Sequence, residues 1–378
     1  MLLSEVVGQQ AAKNGLLQME NGGHLPHALL VLGREGNGGL PLALAFAQYL
    51  LCPNRTAHDA CGHCANCHKV THLEHADLHL TFPSIAPKPG AKANSKHYAK
   101  EFREFITHTP YGTTYDWLQS INAENKQGNI TAEECREIIE QLYLMSYEGG
   151  KKIQIIWRPE YLGKEGNILL KLIEEPPADT LLMLVAENSE DILPTILSRT
   201  QLIRLAPIAP QDIAAALEAR ALADSRKAAQ VGQLAGGSYT EALRLLQHLE
   251  NDLLPSVRNL FNALFTNNGA GFVKFTEQLA KSGREGQKNF LQYVIELLEQ
   301  SLRAQHMPGR PLALPPEEAD FVTRLASRKL PLEAISQMIK ALSDTIYHIE
   351  RNAHSKTQLL ALTIRLQYLI QGRALPVL

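Results

Sequence analysis

The sequence predicts an α/β fold in its first half, a parallel sheet wound with helices, followed by helical segments to the C-terminus. Three observations carry this. Short apolar runs alternate with helical patterns up to residue 205, the order that builds βαβ units. The run from His27 to Leu32 ends in a glycine-rich loop, Gly33-Arg-Glu-Gly-Asn-Gly38, that leads into the apolar stretch Leu42–Leu51. Residues 251–378 show long helical patterns, broken around Pro308 to Pro316, with no metal or nucleophile constellation.

Strand, glycine loop and helix in that order make a P-loop, where backbone amides cradle phosphates at a helix N-terminus. Gly33, Gly36 and Gly38 fall where the pattern needs glycine, but the lysine and hydroxyl that should follow are Gly39 and Leu40. The lysine would reach the terminal phosphates and the hydroxyl would hold magnesium. The scaffold of a nucleotide site is therefore predicted without its chemistry. The strand Ile153–Trp157 should end in acids that hold magnesium. It ends in Trp157-Arg158-Pro159, with Glu160 one step late. Two independent losses predict a site without ATPase activity and without ATP or magnesium.

The chain has 378 residues, 45% hydrophobic and 20% charged, with 37 Lys and Arg against 39 Asp and Glu. That length holds two or three domains. The near-zero balance excludes a global basic field, so any nucleic-acid contact must be a local patch or be shared with partners. Met1-Leu-Leu-Ser-Glu lacks the basic start and apolar core of a signal peptide, and the apolar run Leu40–Cys52 is too short to span a bilayer. A cytoplasmic chain with no membrane partner is expected, in which clustered cysteines are metal ligands before they are disulfides.

Such a cluster follows the P-loop helix. Cys61, Cys64 and Cys67 form a C-x-x-C-x-x-C run, with Cys52 upstream. Four thiolates offer zinc a closed tetrahedral cage of the structural kind. Free or oxidised thiols and an iron–sulfur cluster are the alternatives. His63 and His68 lie among the cysteines, but four thiolates leave them no position to fill.

The remaining elements follow in order. Ser4–Ala12 opens a short helix near Gln9, and Leu78–Pro83 alternates like a strand with one buried face. Ser84–Ser95 reads as a flexible loop, made locally basic by Lys88, Lys92, Lys96 and Lys100, which suits a solvated insertion or a phosphate contact. Tyr98, Phe102, Phe105 and Ile106 share a helical face. Thr131-Ala-Glu-Glu134 reads as a capping box, with Glu134 reaching back, opening a helix that buries Cys135, Ile138, Ile139 and Leu142. A helix is predicted from Gly163 to Glu175, stopped by Pro176-Pro177, with strands at Thr180–Ala186 and Leu202–Leu205. Between these strands, Ile192–Thr200 forms a short helix that sets Arg199 at the rim of the sheet. Taken alone, Arg199 reads as a surface or salt-bridging arginine. Pro207 and Pro210 mark a boundary, Asp212 favours a helical first turn, and Ser238-Tyr-Thr-Glu241 is a second capping box.

Together, the glycine loop, the cysteine spacing, Leu169-Leu-Lys-Leu-Ile-Glu-Glu-Pro-Pro177 and Leu193-Pro-Thr-Ile-Leu-Ser-Arg-Thr200 resemble the delta-prime-type subunits of bacterial DNA polymerase III clamp loaders. The resemblance implies an AAA+-type P-loop domain over 1–205 with a zinc-binding excursion near 52–67, a helical lid over 206–250, and an all-α collar over 251–378 that joins five subunits into a ring. It implies motor and delta-type subunits as partners, with the sliding clamp and primer-template DNA reached through the complex. Arg199 matches the arginine of the family's serine-arginine-cysteine motif, which completes a neighbour's ATP site; Thr200 replaces the cysteine. The motor's nucleotide-sensing lid arginine is matched by Thr240. These departures favour a stator over a motor. The insertion 84–129 gains no role from the resemblance. Leu359, Leu360, Leu362, Ile364, Leu366, Leu369 and Ile370 pattern a helix whose apolar surface serves the core or, by the resemblance, a subunit interface. Two other readings are an ATP-hydrolysing motor and a zinc-ribbon DNA reader. Gly39 and Leu40 oppose the first, and the lack of Arg or Lys at Gly62-His63 and Ala65-Asn66, between the last three cysteines, opposes the second.

Overall fold

The computed structural model describes residues 1–88, 90–123, 126–250, 253–306, 314–350 and 353–373. They fall into two compact units, Met1–Leu243 and Arg244–Leu378.

The first unit is built on five parallel strands: β1 (Ala28–Leu32), β2 (Leu78–Thr81), β3 (Lys152–Trp157), β4 (Thr180–Ala186) and β5 (Gln201–Arg204). Their order is β2-β3-β4-β1-β5, so the expected parallel sheet is the one that forms. Helix α1 (Gln10–Asn21) precedes β1, and α2 (Gly39–Leu51) and α3 (Ala65–Thr71) join β1 to β2. Helices α4 (Ala99–His108), α5 (Thr114–Ser120) and α6 (Ala132–Tyr143) lie between β2 and β3. The short α7 (Leu170–Glu174) follows β3, and α8 (Pro194–Leu197) links β4 to β5. Three helices come next: α9 (Pro210–Ala219), α10 (Ser225–Leu234) and α11 (Tyr239–Glu250).

Every residue of β3 and β4 is buried, as helices on both faces of a parallel sheet require. Alternate side chains serve two cores. Leu29, Val31, Ile155 and Met183 pack with α2 on one face, while Leu30, Ile156, Leu182 and Leu184 pack with α6 and α7 on the other.

Three local expectations are corrected. The segment Gly163–Glu175 is not one helix: a 3-10 segment, Pro159–Leu169, kinks at Gly163 (φ 49°, ψ −136°) before α7 begins. That conformation interrupts the hydrogen-bond ladder, so an α-helix cannot run through it. Thr131 does cap α6, its hydroxyl accepting from the Glu134 amide at 3.3 Å. The Glu134 side chain, however, turns to Ser95, accepting from its amide at 3.0 Å and from its hydroxyl. The insertion folds over α6 and gives this buried carboxylate better donors than the cap would. Strand β2 is buried on both faces and not on one alone: Leu78 and Phe82 join one core with Leu80 packed against it, and Thr81 on the opposite face is buried too. As an edge strand it ties Thr81 to Gln154, whose amide nitrogen donates at 3.0 Å.

The insertion 84–129 is more than a loop. Ser84 bridges to Asn129, and α4 and α5 bring Phe102, Phe105 and Trp117 against Phe82 and Trp157, with ring centres 3.7 to 6.1 Å apart. Two of its lysines are paired: Lys92 with Glu133 at 2.7 Å and Lys96 with Glu137 at 2.6 Å.

The second unit packs α12 (Leu254–Thr266), α13 (Gly269–Ala280), α14 (Gly283–His306), α15 (Pro316–Ser327), α16 (Leu332–Glu350) and α17 (Ser355–Ile370) around a leucine- and phenylalanine-rich core. Helix α17 points Leu359, Leu362, Leu366 and Leu369 inward and leaves Leu360 and Ile364 in solvent. The break expected around Pro308–Pro316 lies mostly outside the described residues, in 307–313. Among the described residues no helix is long and apolar enough to cross a membrane.

Candidate functional site

The loop after β1 keeps the P-loop shape. Gly36 (φ 78°) and Gly38 (φ 87°) take left-handed conformations that a side chain would strain. The first turn of α2 begins at Gly39, so its free amides still face this loop. The positions that should carry chemistry have turned inward. Leu40 is 4% exposed and belongs to the core. A Cβ on Gly39 would stand 3.0 Å from Val185 Cγ1 and 3.8 Å from Leu205 Cδ1, against the apolar core.

What covers the loop comes from the chain itself. The Tyr239 amide donates to the Gly36 carbonyl oxygen at 3.0 Å, and Ser238 and Thr240 press on Gly36 closely enough that a Cβ there would meet Ser238 Oγ at 1.9 Å. On the other side, Tyr111 Cε1 lies 3.0 Å from where a Gly38 Cβ would be. Tyr111 is held from four directions. Its hydroxyl accepts from the Val7 amide at 2.8 Å and its carbonyl accepts from the Thr240 hydroxyl. Its ring packs 4.8 Å from that of Tyr239 and 5.8 Å from the Arg220 guanidinium. Burial pushes its phenol above the ordinary value, against the pull of the Val7 amide and Arg220. The cavity left between Gly33, Gly36, Gly38, Tyr111, Trp157 and Glu187 is about 30 Å³, room for about one water. Ligand pockets run to roughly 300 Å³ and more.

The end of β3 is closed in the same way. Trp157 joins the aromatic cluster, 5.6 Å from Phe102 and 6.1 Å from Phe105. Arg158 pairs with Glu187 and, at 3.6 Å, with Glu160. One oxygen of Glu160 accepts from the amides of Glu187 and Asn188, at 2.6 and 3.0 Å. Glu160 therefore ties β3 to the end of β4 and does not replace the absent acids. Burial raises the Glu187 carboxyl, and Arg158 opposes that shift.

The four cysteines meet where α2 ends and α3 begins. Their Sγ atoms all lie within 4.8 Å of one another. The separations Cys52–Cys61, Cys52–Cys64 and Cys61–Cys67 are 3.5, 3.9 and 3.8 Å. A tetrahedral zinc with Zn–S bonds of about 2.3 Å needs sulfur atoms about 3.8 Å apart, so the donor set fits. The His63 amide lowers the Cys61 thiol to about 6, toward the thiolate that a metal requires, whereas burial raises Cys52 and pushes Cys67 up to about 12 in the absence of a metal. His63 Nδ1 is engaged with the Cys61 carbonyl at 2.7 Å, away from the cage. The fifth cysteine, Cys135, is fully buried in α6, and burial pushes its thiol up to about 12.

Arg199 follows α8 at the sheet rim with its side chain 37% exposed. Its guanidinium pairs with Glu174 and donates to the Thr195 carbonyl at 2.9 Å and to Ser198 Oγ at 3.2 Å. The predicted glycines, the cysteines and Arg199 thus occupy three separate places. Sequence reasoning missed Tyr111, Arg220 and the contact between Ser238 and Gly36. The one local signal near Tyr111 was Thr113-Thr-Tyr-Asp116, a capping box in which the Asp116 amide donates to Thr113 Oγ1 at 3.1 Å.

Comparison with known proteins agrees with this architecture. A family model described as "DNA polymerase III, delta subunit" matches residues 8–209. DNA polymerase III subunit delta' of Escherichia coli K12 is 27% identical over 360 residues, covering 93% of this chain and 92% of that protein. The delta' subunit of Pseudomonas aeruginosa is 30% identical over 224 residues, 58% of this chain and 55% of that protein. Subunit tau of Bacillus subtilis is 21% identical over 378 residues, 93% and 59% of the two chains. With the family model spanning more than half of the sequence and delta' subunits of several bacteria aligned to it, the chain belongs to the DNA polymerase III delta-prime family.

Proposed function

We propose that this protein is a non-hydrolysing scaffold subunit of a clamp loader, the stator against which the ATP-hydrolysing subunits work. The observation that carries this reading is the closed P-loop: Gly39 and Leu40 replace the catalytic pair, Ser238 and Thr240 press on Gly36, and the cavity lined by Tyr111 beside the loop is about 30 Å³. Residues 1–205 form the AAA+-type domain, 206–250 the lid, and 251–378 the collar that joins motor and delta-type partners. Cys52, Cys61, Cys64 and Cys67 hold a structural zinc.

Arg199 serves in trans, as the arginine that completes a neighbouring subunit's ATP site. Its pairing with Glu174 is compatible with that role, because both side chains are exposed, at 37% and 46%. Exposed pairs of this kind contribute roughly 0–1 kcal/mol, so moving the guanidinium to a phosphate costs little. Arginine fingers contribute about 10³- to 10⁵-fold in rate.

The test is the DNA- and clamp-stimulated ATPase of a reconstituted loader carrying Arg199→Ala. A loss of about 10³-fold with assembly intact is expected. An unchanged rate would return Arg199 to a surface salt bridge and leave the subunit a structural role only.

A further inference from the structure

Charge is divided unevenly along the chain. The second unit carries 16 Lys and Arg against 12 Asp and Glu, the first 21 against 27. The surplus of positive charge therefore lies in the helical unit, which has a sheltered place to use it. Two hollows open beside α12 and share Asn262 in their walls. The larger, about 930 Å³, lies among α12, α13 and the start of α14; Lys274 and Lys281 border it, and none of its lining residues is acidic. The smaller, about 250 Å³, is lined by Arg258, Arg324 and Arg328 and by the rings of Phe261, Phe265 and Phe321, with Asp320 as its one acid.

The charges in the smaller hollow are not all committed. Asp320 holds Arg324 at 2.7 Å and Glu317 lies 3.9 Å from Arg258. Arg328 lies over the Phe265 ring at 4.9 Å and has no acidic partner among the described residues. Phe261 and Phe321 meet edge to face at 5.6 Å, and Phe265 and Phe321 are only partly buried, which leaves ring surface at the opening. Across both hollows, five cations stand against two carboxylates, Asp320 in the wall and Glu317 beside Arg258. A basic groove running onto exposed aromatic faces is the arrangement that takes a flexible polyanion carrying flat rings. An acidic peptide would use the cations but leave the phenylalanines unused. A duplex is too wide and stiff to put a base into a hollow of about 250 Å³.

We propose that these two hollows form one track for single-stranded nucleic acid. Phosphates lie along Lys274, Lys281 and the arginines, and a base stacks at Phe265 and Phe321. The asparagine-rich wall offers donors and acceptors without setting a sequence preference.

The test is fluorescence anisotropy of the full chain with a fluorescein-labelled oligothymidylate of about 12 nucleotides at low salt. Saturable binding that weakens as salt rises is expected. The double reversal Lys274→Glu, Lys281→Glu should weaken it at least about tenfold and reduce the salt slope by about one per lysine. Both lysines are exposed, so the fold should survive, as a thermal melt would verify. Phe265→Leu, which keeps an apolar side chain, should weaken binding about five- to a hundredfold while leaving the salt slope in place. Absence of binding by the native chain would overturn the proposal, as would binding that neither variant changes. Equal competition by polyglutamate of matched charge would also overturn it, in favour of an acidic protein partner.

Discussion

The amide of Tyr239 donates a 3.0 Å hydrogen bond to the carbonyl oxygen of Gly36. The first residue of α11 thus rests on the middle of the phosphate loop. Gly36→Ala would place a methyl 1.9 Å from Ser238 Oγ, on a backbone at φ 78°. A loss of about 1–3 kcal/mol is expected in urea unfolding. Adding Ser238→Gly should relieve the clash and leave the backbone strain, restoring part of that loss.

Rebuilding the motif should not rebuild the site. Gly39→Lys with Leu40→Thr restores the catalytic pair, but Tyr111 still lies against Gly38. Titration with a fluorescent ATP analogue should show no binding by the double variant. Measurable affinity should require Tyr111→Ala as well. Binding by the double variant alone would mean that Tyr111 does not close the site.

The cysteine cage should carry one zinc per chain by native mass spectrometry. Structural zinc sites contribute folding free energy directly. Cys67→Ser removes a fully buried ligand, and it should lower the melting temperature by about 5–10 °C, a loss of a few kcal/mol. A strong chelator should produce the same shift in the native chain and none in the variant.

Acid should weaken the chain through Asp77. Burial would raise this carboxyl, but the amides of Tyr147 and Glu148 and the Ser146 hydroxyl outweigh it and hold Asp77 below 3.8. The donors lie 2.7 to 3.0 Å away. A carboxylate with a depressed folded pKa stabilises above its unfolded value and loses that contribution as pH falls through the folded one. Asp77→Asn should therefore cost stability at neutral pH, and the gap to the native chain should narrow as pH drops below 3.8. A gap that stays constant with pH would assign the effect to packing.

Features that depend on near neighbours in the sequence were legible. The strand at Thr180–Ala186 and the start of α9 at Pro210 could be read because apolar runs and prolines act locally. The cysteine cage was also legible, since its spacing is itself the signal. The helix expected from Gly163 was not, because a 3-10 segment with a kink satisfies the same apolar pattern. Glu134 followed a capping rule until a donor from a distant segment, Ser95, outcompeted the cap.

The sequence by itself determined that the phosphate loop lacks its chemistry. Gly39, Leu40 and Trp157 can be read off directly, because lysine, hydroxyl and acid have no substitutes at those points. Only the tertiary structure decided that the loop is also filled. Tyr111 is separated from Gly38 by a long insertion and from Tyr239 by most of the sheet in sequence, yet the three meet within a few ångströms. No periodicity or spacing encodes that meeting. It arises because α4 packs Phe102 and Phe105 on Trp157, where the acids of an active site would otherwise stand, and α5 packs Trp117 on those two rings.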